Sequence, residues 1–292
     1  MIADIFVSGV PLGCLYALVA VSYNILYRPT NVFNFAQGDL VMVGALVSAS
    51  LLNSQTLGWP LALLAAMAIV GAIALIEEVV AVSPILRRAL GGSAWVITTL
   101  AISLIITNLV GKYWGMDPIF VAAPWPLSTD PFTVRGVQIS TYQIALVVLS
   151  GALVGVVEGL YRTRTGKAIL AVAENRDAAL LRGIDPSALS RWSFFVGGAL
   201  AAMTGYLAAP LVPASPALGV ALLVKGFAAA ALGGLGNNKG ALIAGVIIGV
   251  TEATGSAFFS AGYQQTTILV VVLAILLVRP QGLFGVVSAR TV

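Results

Sequence analysis

The 292-residue sequence predicts an all-α integral membrane protein of about eight to ten transmembrane helices, N-terminus outside and C-terminus in the cytoplasm. Three observations predict this. Apolar residues make up 59% of the chain and charged residues only 9%, against about 25% charged in a soluble domain. Nine stretches approach the roughly 20 apolar residues that a helix needs to cross a bilayer. The basic residues fall on alternate connections between those stretches.

The first span, Ile5–Leu26, has no basic region ahead of it and reads as a retained helix, not a cleaved signal. It holds the single cysteine, Cys14, which reads as a small core residue. Next comes Asn34-Phe35-Ala36-Gln37-Gly38-Asp39, at the mouth of the short second span Gln37–Leu52. Polar groups at that depth must be paired or face water. Two readings remain open for it: a helix start, with Asn34 capping and Asp39 in the first turn, or a broken helix lining a translocation route.

Spans three and four are Pro60–Val80 and Ala94–Gly111. The loop 112–141 follows on the outside, with Trp114, Phe120, Trp125 and Phe132 among prolines. Interfacial anchoring explains such aromatics, and a docking surface for an external partner is the other reading. After the fifth span, Tyr142–Tyr161, comes the inner loop 162–191, the one sizeable hydrophilic segment. Ala168–Glu174 and Asp177–Arg182 read as two short helices there, with Asp177 an N-cap and Gly183 a stop. The small residues of Asp177-Ala178-Ala179, flanked by Arg176 and Arg182, suit either a solvated loop or a helix that docks in another protein's groove.

The last four spans are Trp192–Val212, Leu218–Leu235, Ala241–Phe258 and Thr266–Val278. Lys225 and Glu252 lie at similar depth on antiparallel neighbours, so an ion pair is expected, serving structure or substrate. Between them, Leu232-Gly233-Gly234-Leu235-Gly236-Asn237-Asn238-Lys239-Gly240 lacks the strand and the Ser/Thr of a phosphate loop and reads as a tight turn. Gly9/Gly13, Gly151/Gly155/Gly159 and Gly245/Gly249 fit the small-xxx-small spacing that lets helix backbones touch.

Charge tests the helix count. With the N-terminus outside, the inner segments hold Arg28, Arg87, Arg88, Arg162, Arg164, Lys167, Arg176, Arg182, Arg191, Lys239, Arg279 and Arg290. The outer segments hold Lys112 and Arg135, and Lys225 lies within a span. A wrong helix count would scramble that split. The absence of histidine removes the commonest metal ligand and general base. No metal site, catalytic set or nucleic-acid role is expected. A channel or an ion-coupled carrier is the rival of another class.

The motif at Asn34, the stretches Thr165-Gly166-Lys167-Ala168 and Gly183-Ile184-Asp185, and Leu232-Gly233-Gly234-Leu235-Gly236 together resemble the permease subunits of branched-chain amino acid ABC importers, the LivH-like group. Lys225 ahead of Phe227-Ala228-Ala229-Ala230, and Glu252 after Ile247-Ile248-Gly249, match the same pattern. Permeases for urea, short-chain amides and aromatic acids look alike at this level. Asp177-Ala178-Ala179-x-x-x-Gly183 is similar to the motif by which such permeases dock on ATPase subunits, with aspartate for the usual glutamate and Ser193-Phe194-Phe195 where the motif's continuation would stand. Gln37 and Asp39 stand where many relatives carry histidine and glutamate.

The resemblance implies a single permease domain over 1–292 in a bacterial inner membrane, with two halves that are candidates for inverted repeats. It implies a second, related permease as partner, two ATPase subunits that bind the ATP and Mg, and a periplasmic substrate-binding protein. This chain would bind no cofactor. Asn34, Gln37, Asp39, Lys225 and Glu252 would line the path; Gly166, Arg176, Asp177, Ala178, Ala179, Arg182 and Gly183 would couple to the ATPases.

Overall fold

The computed structural model describes residues 2–54, 57–87, 94–124, 126–134, 136–259 and 261–285. Arg88, Trp125, Arg135 and Arg290 lie outside the described residues. The chain forms helices α1 (Ile2–Thr30), α2 (Gln37–Asn53), α3 (Trp59–Glu77), α4 (Ser83–Arg87), α5 (Ala94–Trp114), α6 (Thr141–Tyr161), α7 (Arg164–Glu174), α8 (Arg176–Leu181), α9 (Pro186–Ala208), α10 (Ala217–Gly233), α11 (Asn238–Phe258) and α12 (Gln264–Val278). Nine of these match the nine expected spans, and α7 and α8 match the two short helices. A π turn, Glu78–Val82, joins α3 to α4 without a break, giving one 28-residue apolar rod from Trp59 to Leu86.

Two helices form the centre. α1 packs against α11, α9, α10 and α6, and α2 against α9, α10 and α3. α2 is buried without interruption from Gln37 to Ala49, and α1 from Gly13 to Leu26. A helix that is apolar all round has no face to give to water, so it goes to the middle. The α1–α11 crossing is close: a Cβ on Gly13 would sit 2.6 Å from the Gly245 carbonyl oxygen, and one on Gly9 2.8 Å from that of Gly249. Backbones touch only because side chains are missing there. Gly151, Gly155 and Gly159 behave differently from the sequence expectation: a Cβ on any of them meets nothing within 4 Å. Their spacing is right, but they face away from the bundle.

The end of the bundle that carries the basic residues is tied by a polar knot. The Asn24 side chain accepts from the Gly236 N–H at 2.9 Å and donates to Asn238 at 3.2 Å. Asn238 in turn donates to Glu158 at 3.0 Å. The Arg28 guanidinium donates to the Gly236 carbonyl at 2.8 Å and lies over the Tyr161 ring, 3.8 Å from its centroid. Gly234 and Gly236 hold φ of +90° and +80°, so the turn 232–240 has the shape that glycine permits.

At the opposite end, the long loop contains a hairpin absent from the sequence reading, β1 (Pro131–Val134) and β2 (Val137–Ser140), paired antiparallel. Ile119 pairs with Ala214 through two backbone bonds of 2.8 and 3.0 Å, and Trp114 donates to Ser50 at 2.7 Å. Ser140 and Gln143 form a capping box that starts α6.

Candidate functional site: a re-entrant segment and a buried ion pair

After α1 ends at Thr30, Asn31 takes a left-handed φ of +53° and residues 32–36 fold back into the bundle. The Gln37 amide donates to the Ser22 hydroxyl at 2.8 Å. Ser22 lies eight residues before the end of α1, about 12 Å along its axis, so α2 begins within the bundle. The break itself has the geometry of the broken-helix reading. Of the capping reading, Asp39 does stand in the first turn of α2, but Asn34 as the cap is corrected: Ala36 occupies the cap position and no side chain caps it. The Asn34 oxygen accepts instead from the Ala36 N–H at 2.9 Å, shaping the turn itself. Its NH2 group donates to Glu77 at 3.0 Å. The Asp39 carboxylate accepts from Thr107 at 3.1 Å and rests against Gly219, where a Cβ would collide with it.

Asn34, Gln37, Asp39 and Glu77 are all at least 98% buried. Gln37 Oε1, Glu77 Oε1 and Tyr23 Oη have no hydrogen-bond partner among the described residues. In apolar surroundings each such atom costs about 1–3 kcal/mol. Beside this polar cluster lies a cavity of ≈ 130 Å³ lined by Tyr23, Phe33, Asn34, Phe35, Leu223, Val224 and Phe227. Phe33 packs edge-on against Phe227 at 5.5 Å, and Phe35 stacks on Trp95 at 6.3 Å.

Lys225 and Glu252 pair as the sequence predicts, Nζ to Oε1 at 2.6 Å. Tyr16 completes the set: its hydroxyl donates to Glu252 Oε2 at 2.6 Å and lies 3.1 Å from Lys225 Nζ. The side chains of Lys225 and Glu252 are 20% and 8% exposed. With both carboxylate oxygens bonded, the trio pins α1, α10 and α11 at one depth. Among the described residues no hydrogen bond or ion pair joins it to the cluster at Asn34, so the five proposed path residues fall into two groups.

Sequence reasoning missed Glu77, Glu78 and Tyr16. Two adjacent carboxylates inside a predicted span were a signal for the first two. Glu78 faces Arg191 at 4.0 Å. Nothing set Tyr16 apart from the other aromatic residues of an apolar helix.

At the basic end, α7 and α8 project as a hairpin. The expected cap is corrected: Asn175, not Asp177, accepts from the Ala178 N–H at 2.9 Å and starts α8. Asp177 stands in the first turn. The first helix begins at Arg164, ahead of the expected Ala168, because the Thr163 side chain accepts from the Gly166 N–H. Gly183 stops α8 at φ +79°. Ala179 is buried, Arg176 half-buried, and Asp177, Ala178, Arg182 and Gly183 are exposed. Gly166 is buried in the turn from α6, where a Cβ would strike the Tyr161 backbone. A cavity of ≈ 190 Å³, whose lining includes Ile25, Tyr161, Gly166, Ile169 and Trp192, lies between the hairpin and the bundle.

The family model described as branched-chain amino acid transport system, permease component, matches residues 5–279. A probable branched-chain amino acid transport permease protein, LivH, of Methanocaldococcus jannaschii is 32% identical over 93% of this chain and 89% of its own length. The high-affinity LivH permease protein of Escherichia coli K12 is 30% identical over 95% and 94%. BraD of Pseudomonas aeruginosa is 32% identical over 96% and 94%. With a match that runs from the first helix to the last and takes in both polar groups and the hairpin, the chain belongs to the permease-component family of branched-chain amino acid transport systems.

Proposed function

We propose that this chain forms half of the translocation path of an ATP-driven importer for a branched-chain or other apolar amino acid, in a bacterial inner membrane, N-terminus outside. The observation that carries the ATP-driven part is the α7–α8 hairpin. α8 presents Leu181, 90% exposed, and Leu180, 53% exposed, next to small alanines on an otherwise hydrophilic segment. Apolar side chains held out on a capped helix at the basic end suit the groove of another protein. The partners in this reading are a second related permease, two ATPase subunits that carry ATP and Mg, and a periplasmic binding protein.

The re-entrant segment supports the path. Backbone leaves helical geometry inside a membrane where it lines a cavity or is buried in protein, and residues 31–36 do so beside a cavity. Asn34, Gln37 and Asp39 take this role. Lys225 and Glu252 hold the wall behind it.

The test is reconstitution. The chain alone in liposomes is expected to move no amino acid. The full complex is expected to take up leucine with ATP inside, and Leu181→Asp to abolish co-purification with the ATPase subunits. Uptake by the chain alone would establish a self-sufficient carrier or channel instead. A complex that moves urea, amides or aromatic acids but no aliphatic amino acid would refute the substrate class.

A further inference from the structure

We propose that Arg28 is the positioning residue through which movement of the α7–α8 hairpin reaches the re-entrant segment. This rests on the reading of that hairpin as the part an ATPase subunit grips, and it names the contact that passes the motion inward. The series of contacts begins in the hairpin. Gly166 of α7 lies directly against the end of α6, where a Cβ would strike the backbone of Leu160 and Tyr161. The Thr163 hydroxyl ties the same corner, donating to the Leu160 carbonyl at 2.6 Å and accepting from the Gly166 N–H at 3.3 Å. Tyr161 is therefore bound to move with α7. Its ring lies under the Arg28 guanidinium, 3.8 Å from Cζ to the centroid. Arg28 stands in the last turn of α1, just ahead of Asn31, whose left-handed φ of +53° turns the chain back toward Asn34 and Gln37.

The way Arg28 is held suits a moving contact. Among the described residues it forms no ion pair. Its partners are the ring face and the Gly236 carbonyl, which both Nε, at 2.8 Å, and Nη2 reach. A planar guanidinium can shift over a ring and about a single oxygen and keep its contacts, whereas a bidentate carboxylate would fix its geometry. A second line runs beside this one. Asn24, one turn earlier on α1, accepts from the Gly236 N–H at 2.9 Å and donates to Asn238 at 3.2 Å, and Asn238 donates to Glu158, one turn before Tyr161 on α6, at 3.0 Å. Residues so spaced share a helix face. Asn24 and Asn238 are buried, while Arg28 and Tyr161 are half-buried. The asparagine line holds α1, α6 and the 232–240 turn together. The Arg28–Tyr161 contact, at the end nearest the hairpin, follows the hairpin.

The experiment reads leucine taken up per ATP hydrolysed, in proteoliposomes holding the complete transporter with leucine-saturated binding protein. Arg28→Met and Tyr161→Leu are each expected to lower that ratio by roughly two- to thirtyfold, the range over which residues along a coupling network act, while ATP hydrolysis continues. Tyr161→Phe keeps the ring under the cation and is expected to retain the wild-type ratio. The double variant Arg28→Met with Tyr161→Leu is expected to fall no further than either single one, as for two residues that act through one contact. Co-purification of all subunits checks assembly. Tyr161→Leu leaves the guanidinium its bonds to Gly236 and serves as the test where Arg28→Met does not assemble. An unchanged ratio in assembled Tyr161→Leu complexes overturns the proposal. So does a parallel loss of uptake and hydrolysis, or failure of both single variants to assemble, since each marks a structural knot only. A wild-type complex that takes up leucine without ATP refutes the reading of the hairpin itself.

Discussion

Lys225 and Glu252 show how strongly a single residue can be tied to its partner at membrane depth. Removing either charge leaves the other buried, which costs about 3–5 kcal/mol in comparable pairs. Glu252→Gln and Lys225→Met are each expected to lower the thermal unfolding temperature in detergent markedly. The double variant Lys225→Met with Glu252→Leu is expected to recover much of the loss. Additive losses would show that the two act independently. Tyr16→Phe removes one hydrogen bond to a charged group and is expected to cost about 1.5–3 kcal/mol. The pair was legible in the sequence because two oppositely charged residues in antiparallel spans can be ranked by depth. Tyr16 was not, since its role depends on which face of α1 meets α11, and α1 is apolar on every face. Asn34 was legible as polar, but the sequence left a cap and a broken helix both open: the capping rule looks for a side chain one residue before the helix, whereas here the chain makes its turn first.

At the scale of the element, the glycine pairs separate spacing from use. Gly13→Leu is expected to force α1 from α11 and to cost about 1–3 kcal/mol or more by overpacking. Gly155→Leu, on an open face of α6, is expected to leave the stability of the isolated chain within about 0.5 kcal/mol. Chemical denaturation of the two variants side by side checks this, and equal losses would refute the packing argument. Sequence spacing could not tell them apart, because the contact is made by a partner helix more than 200 residues away. The hairpin at residues 131–140 had a local signal, alternating residues around a glycine with φ +82°, hidden in a loop read for its aromatics. The π turn at Glu78–Val82 has no recognised pattern in sequence.

For the whole molecule, the nine long helices and their order were legible because crossing a bilayer sets a minimum apolar length, and five of those described are long and apolar enough to cross one. The basic end of the bundle is also one end in space: Arg28, Tyr161 and the 232–240 turn meet there. In a background where buried Cys14 is replaced by alanine, a cysteine at Arg164 is expected to react with a membrane-impermeant maleimide only in inside-out vesicles. One at Asp130 is expected to react only in whole-cell-facing membrane. The reverse pattern would invert the orientation.

The partnership of α1 with α11 also governs how the chain is made. Tyr16 and Glu252 stand 236 residues apart, so at roughly 5–20 residues per second the ribosome needs on the order of 10–50 s to supply the second after the first. For most of that interval Tyr16 and Asn24 sit in a newborn helix without Lys225, Gly236, Asn238 and Glu252, their eventual companions. A chaperone or the insertion machinery must shelter that helix, and nascent chains halted before residue 217 should remain crosslinked to such a guardian through α1 while chains released past residue 258 let it go.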